Sequence, residues 1–335
     1  MVSNHRDGAP HNQPEFLPHI QHDELHRQRV RLTKERHMSI NRTVTIAQGK
    51  GGVGKTSLTS NIGGLAAAAG YRTLLVDLDQ QGNIARDLGF APDSGDDLLS
   101  SLVTAGPLPR RQAVRERLDV VPGGPAIGDV AALFGSRAQR GGADLGTVLE
   151  TKLAAIADNY DLILLDTPPG DRIIVNAALS VSRDVVIPTR MDEASIDGVS
   201  RIAERFIDVR DRNPDLRLAG VVLFAITSRT TRLERDVRDA LTEILGDAAP
   251  VFNTRIRHLD SAAADARRRG LLVHELEHAA LGDRAARIDA LRHGEKPVNG
   301  LYARDASGLA ADYSNLTREL LTRIGALETE ASLHS

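Results

Sequence analysis

The run Gly49-Lys50-Gly51-Gly52-Val53-Gly54-Lys55-Thr56 matches the spacing G-x-x-x-x-G-K-[ST]. Glycines let a backbone curl until successive N–H groups face inward, and such a curl cradles phosphate oxygens. A helix beginning at the end of the loop adds the positive end of its dipole. In such a loop Lys55 reaches the β- and γ-phosphates of a nucleotide, and the Thr56 hydroxyl ligates Mg²⁺. Gly51, Gly52, Val53, Gly54, Lys55, Thr56 and Ser57 are therefore candidate ATP-binding residues. Lys50 is a second cation at the loop's start, and a cradle already served by Lys55 does not need it from its own chain. Two more segments end in acid: Leu74-Leu75-Val76-Asp77-Leu78-Asp79, and Leu162-Ile163-Leu164-Leu165-Asp166. Carboxylates emerging at the C-terminal ends of buried strands sit where open α/β sheets bind ligands.

Such side chains need a sheet to hold them. Strands are expected at Thr43–Ala47, Thr73–Asp77, Leu118–Val121, Leu162–Asp166, Asp184–Pro188, Ala219–Ile226 and Val251–Ile256. Several are almost wholly apolar, as strands buried on both faces of a parallel sheet must be. Helical patterns fall at Thr56–Ala69, Ala143–Ala157, Ser195–Arg212, Arg232–Leu245 and Leu309–Ile324. The alternation predicts a doubly wound, mostly parallel α/β sheet flanked by helices. No Pro/Gly/Ser-rich linker divides residues 41–328, so one domain is expected there. Residues 1–40 read as an extension, disordered or partly helical, and 329–335 as a tail. Met38 opens a segment that looks like a natural start, and the histidines before it are spaced too irregularly for a metal site.

Composition closes several routes. The 335 residues include no Cys, which excludes disulfides, thiolate metal sites and cysteine nucleophiles. Lys+Arg number 42 against Asp+Glu 45, a net charge of -3, so any nucleic-acid surface must be a local patch. Trp is 0 and aromatics are 3%, which argues against a stacking platform for single strands. No run approaches the ~18 apolar residues of a membrane span. The N-terminus lacks an apolar signal core, so a cytoplasmic protein is expected. His274-Glu275-Leu276-Glu277-His278 matches H-E-x-x-H, but with an active site already defined by the phosphate loop it reads as a polar helix surface.

The KGGVGKT spelling resembles the deviant Walker A loop of the ParA/MinD family of P-loop NTPases. In that family the first lysine reaches across a dimer to the partner's phosphates, so the resemblance implies an ATP-dependent homodimer closed by Lys50, with Lys50 and Lys55 both catalytic. Asp77-Leu78-Asp79-Gln80-Gln81-Gly82-Asn83 looks like the family's switch I, with Gln80 where Pro is usual. By resemblance Asp79 positions the attacking water and Asp77 supports the Mg²⁺ shell. Leu162–Asp166 reads as a Walker B strand, with Asp166 expected to hold Mg²⁺ through water, alongside Thr56. The likeness continues through Asn176–Leu179, Val185–Pro188, Gly220–Leu223 and Ser228-Arg229-Thr230, and returns at His293–Val298 and Asp312–Leu316.

The resemblance implies a ParA-like partition ATPase. It would bind ATP and Mg²⁺, dimerise, bind double-stranded DNA nonspecifically on the nucleoid, and release it after slow hydrolysis stimulated by a ParB-like partner. Plasmid or chromosome segregation would follow. The alternative is a MinD-like positioning ATPase at a membrane, but the end LTRELLTRIGALETEASLHS lacks the Lys/Phe-rich face of a membrane helix, so no membrane is expected. Arg229, Arg232, Arg235 and Arg238 recur every third residue and supply one basic face, though Glu234, Asp236 and Asp239 interleave with them. Arg229, Arg232 and Arg257 are the DNA candidates. Arg257 and His258 stand where relatives frame adenine, without the usual Pro, and residues about 259–292 look like an insertion.

Overall fold

The computed structural model describes residues 40–227, 231–246, 250–294 and 306–333. All belong to one compact unit, His37–Ser335. Among the described residues eight strands form one sheet: β1 (Ile40–Ile46), β2 (Thr73–Asp77), β3 (Arg111–Arg115), β4 (Leu118–Val121), β5 (Leu162–Asp166), β6 (Ser182–Thr189), β7 (Arg217–Ile226) and β8 (Ile256–Arg257). Their order is β3-β4-β2-β5-β1-β6-β7-β8. Every pairing is parallel except β3 with β4. The expected α/β architecture is the one observed.

The helices are α1 (Lys55–Ala68), α2 (Asn83–Leu88), α3 (Asp96–Val103), α4 (Val130–Gln139), α5 (Leu145–Ala154), α6 (Arg172–Val181), α7 (Glu193–Arg210), α8 (Thr231–Leu245), α9 (Asp260–Arg269), α10 (Val273–Arg292) and α11 (Ser307–Leu333). The period of two along each strand divides the core. Val44, Leu75, Leu164, Val186 and Val222 face a cluster with α1, α9, α10 and α11. Leu74, Val76, Ile163 and Leu165 face α3 to α6, while Val185, Ile187, Val221 and Leu223 face α6 to α8. Both faces are therefore covered, as a parallel sheet requires.

Three expectations change in detail. The strand expected at Val251–Ile256 is two residues long, Ile256–Arg257, with an isolated bridge from Val251 to Val221. The last helix does not stop at Ile324 but runs to Leu333, through most of the expected tail. No Pro interrupts it, and Glu328 near its end accepts from Arg42 Nε at 3.0 Å, which ties it back to β1. The supposed insertion, about 259–292, holds two helices, α9 and α10, which pack into the core through Ala262, Ala266, Val273 and Leu276.

Candidate active site

β1 runs into the phosphate loop at the middle of the sheet, between β5 and β6. Gln48 fixes the loop's start. It is fully buried, donates from Nε2 to the carbonyls of Pro188 (3.0 Å) and Ser195 (3.1 Å), and accepts from the Gly49 N–H at 2.7 Å. Gly52 and Gly54 adopt φ of 74° and 89°, the left-handed region that glycine alone enters freely. Gly54 is also the N-cap of α1, and the Phe224 ring lies where its Cβ would be, 2.3 Å away. Glycine is thus required there twice, by backbone and by space.

Lys55 is buried, with Nζ donating to the Lys50 carbonyl at 3.3 Å. Burial lowers its pKa, and the charges of Asp166 and Asp79 offset part of that. Lys50 points elsewhere: its Nζ meets Asp192 Oδ1 at 2.5 Å. Asp192 also caps α7 by accepting from the Ser195 N–H at 3.0 Å. Burial works against this carboxylate's charge, but Lys50 and the Ser195 donors outweigh it and hold its pKa below the usual value.

The carboxylates converge from neighbouring strand ends, since Asp77 is in register with Asp166. Thr56 Oγ1 donates to Asp166 Oδ2 at 2.6 Å. Asp166 is wholly buried, and that burial pushes its pKa up to about 7 despite the Thr56 bond and Lys55. Asp77 is pushed up too, by burial first and by the Asp166 charge second. Its oxygens accept from the N–H groups of Asp79 (3.1 Å) and Ile84 (3.2 Å), so it holds the loop leading into α2. Asp79 Oδ1 accepts from the Gln81 N–H at 2.9 Å. Backing them, Gly123 comes so near that a Cβ would sit 2.6 Å from the Asp77 carbonyl. A buried carboxylate held up near neutrality, beside a hydroxyl and a glycine cradle, is the donor set that a divalent ion and a polyphosphate would complete.

A cavity of about 710 Å³ opens beside the loop, walled by Gly54, Ser57, Phe224, Arg257, His258 and Arg267 among others. Arg257 is held by Asp312 through Nε (2.7 Å) and Nη2 (2.9 Å). His258 Nε2 lies 3.1 Å from Asp260 Oδ2. The two expected adenine-side residues therefore reach the same cavity as the phosphate loop.

Residues 41–218 match the family described as AAA domain. The chromosome-partitioning protein ParA of Caulobacter vibrioides is 31% identical over 229 residues, 66% of this chain and 84% of that protein. The chromosome-partitioning ATPase Soj of Treponema pallidum is 29% identical over 222 residues, 64% of this chain and 82% of its own. This chain belongs to the ParA/MinD family of ATPases. Among solved structures, apo McdA of Cyanothece superposes with a TM-score of 0.62 at 20% identity, covering 72% of this chain and 94% of that one, which speaks for the fold.

For this ParA-family chain the site residues absent from the motifs are Gln48, Asp192, Phe224 and Arg267. Gly198 on α7 supports Gln48: a Cβ there would lie 2.0 Å from Gln48 Oε1. Gly198→Ala is expected to displace Gln48, shift the loop and weaken ADP binding by roughly tenfold or more, because a 1 Å misplacement is already felt at such sites. Calorimetric titration with ADP checks this, and unchanged affinity would remove Gln48 from the loop's support.

Of the arginines considered for DNA, Arg229 lies outside the described residues. Arg232 and Arg235 are exposed on α8. Arg238 and Arg255 are both drawn inward onto the buried Glu234, and Arg238 Nη1 also donates to the Phe252 carbonyl at 3.1 Å. In the H-E-x-x-H segment Glu275 is taken by Arg115 at 2.6 and 3.2 Å and by the Leu272 N–H at 2.8 Å. Its role is to cap α10. Among the described residues no group of three or more His, Asp or Glu could hold a metal ion, and no helix is long and apolar enough to cross a membrane.

Proposed function

We infer that this protein is a ParA-like DNA-partition switch: two copies close around ATP and Mg²⁺, the dimer holds duplex DNA without sequence preference, and slow hydrolysis stimulated by a ParB-like partner lets go. The observation that carries this reading is Lys50. It belongs to the phosphate loop yet lies partly exposed on Asp192, outside its own cradle, where it can turn outward to another subunit's phosphates. Lys55 and Thr56 would hold the γ-phosphate and Mg²⁺, with Asp166 behind the metal and Asp77 fixing the loop. Mg²⁺ would supply charge neutralisation on the phosphate oxygens. Asp79 would orient the attacking water for in-line transfer, and the two lysines would balance charge as it spreads over the transferred group. Arg257 and His258 would border the nucleoside.

For DNA, Arg232 and Arg235 are the exposed cations of α8, joined in sequence by Arg229, whereas Arg238 and Arg255 are occupied by Glu234. Arg257 sits at the cavity rim on Asp312, so α8 carries this part of the reading. The test is an ATP-dependent shift of arbitrary duplex DNA across a salt series. Arg232→Glu combined with Arg235→Glu is expected to weaken binding of every sequence alike. It should also flatten the log–log salt dependence by about 1 for each phosphate no longer neutralised. An unchanged slope would take α8 out of the interface. Failure of the wild type to shift DNA with ATP would end the partition reading.

A further inference from the structure

Three arginines follow one another at the end of α9, and they do different things. Arg268 and Arg269 turn back onto Asp265 of their own helix, at 2.7 and 3.8 Å. Arg267 crosses the gap to the nucleotide site. Its Nε meets Asp87 Oδ1 at 2.9 Å, and its Nη2 donates to Ser57 Oγ at 3.2 Å. Asp87 lies on α2, directly after the Asp77–Asn83 loop, and is buried. Ser57 lies in the first turn of α1, next to Thr56, and both Ser57 and Arg267 line the cavity.

The backbones reinforce this tie. Gly89 and Gly270 cap α2 and α9, both with positive φ. A Cβ on Gly270 would lie 2.1 Å from the Gly89 Cα. Helices α2 and α9 thus abut main chain to main chain, and Arg267 spans from this pair to the phosphate-loop helix. A guanidinium offers five N–H donors in a planar fork suited to phosphate oxygens. The two bonds above leave it donors to spare.

The position decides which phosphate it would meet. Lys55 and Thr56 grip the terminal phosphates, and the nucleoside must occupy the cavity on the far side of Ser57. The phosphate passing Ser57 is then the α-phosphate. The geometry points to Arg267 as a binding residue for the α-phosphate of the nucleotide, held in place by Asp87 and Ser57. This rests on the nucleotide reading given above. The contact is common to ADP and ATP, unlike that of Lys50.

Removing Arg267 alone would strand the buried Asp87 charge, so the test is made in an Asp87→Asn background. Arg267→Gln is added, and ADP and ATP affinities are measured by calorimetry with melting temperatures matched. The expected result is a loss of roughly tenfold to a hundredfold, the scale of a charged hydrogen bond, equal for the two nucleotides. Arg267→Lys in the same background is expected to recover part of it. Equal affinities with and without Arg267→Gln would overturn the assignment. So would a loss confined to ATP, which would move the arginine to the terminal phosphate. A wild type that takes up no ADP would instead refute the nucleotide reading itself, and this contact with it.

Discussion

Asp166→Asn is expected to make the nucleotide-free protein more stable at pH 8 while abolishing its Mg²⁺-dependent ATP hydrolysis. Asp166 is buried with its pKa pushed up to about 7, so the fold favours its neutral form. Between the usual carboxylate value and about 7 the folded state binds more protons than the unfolded state, and stability therefore falls as pH rises through that window. Asparagine keeps a carbonyl to accept from Thr56 but carries no charge to desolvate. The gain in Tm is expected to be a few degrees, about 3 °C, at pH 8. At pH 4 it should nearly vanish, because the carboxyl is protonated there in the folded protein. Asp77 is shifted the same way, so part of the pH slope survives. Activity moves oppositely: if Asp166 backs the metal as proposed, its loss is expected to cost roughly a hundredfold or more in turnover. Scanning calorimetry at the two pH values and a phosphate-release assay check both arms. Lower stability at pH 8 would contradict the burial account, and full activity would contradict the metal role.

Lys50→Ala is expected to leave Tm almost unchanged and to eliminate ATP-driven dimerisation. The Lys50–Asp192 pair is about one-third exposed on the lysine side, and such pairs contribute roughly 0–1 kcal/mol. The lysine is thus spent on something other than its own fold. Light scattering coupled to size exclusion, with ATP and Mg²⁺, should show a dimer for the wild type and a monomer for the variant. Hydrolysis should fall with it. Asp192→Asn preserves the cap on α7 while loosening the lysine, and should shift dimerisation to lower ATP concentration. A Lys50→Ala protein that dimerises normally would leave the exposed lysine without the role given to it.

The central strands were legible because both of their faces are covered. Thr73–Asp77 and Leu162–Asp166 are buried at every position, and their apolar runs mark the same bounds in sequence and structure. β3 was not legible, because Arg111–Arg115 lies at the sheet edge, is partly or wholly exposed, and carries no apolar alternation. The phosphate loop and the acids that end β2 and β5 could be read because their spacing is local. Gln48, Phe224 and Arg267 could not, since each acts across 100 or more residues, on α7, Gly54 and α2 respectively. Asp192 did leave a signal: an Asp three residues before Ser195 is a capping pattern that would have started α7 at Glu193. The three arginines of α9 look alike in sequence, and only helical phase separates the one that reaches the site.

α10 buries Val273 and Leu276 near its start, while Leu281, Ile288 and Leu291 further along are exposed. Its root is clamped by the Gly89–Gly270 crossing and by Arg115, and none of Leu281, Ile288 and Leu291 lines the cavity beside the phosphate loop. Substitutions at these three outer positions are therefore expected to spare nucleotide binding. The fold leaves room there for a surface that can change while the phosphate loop keeps its shape.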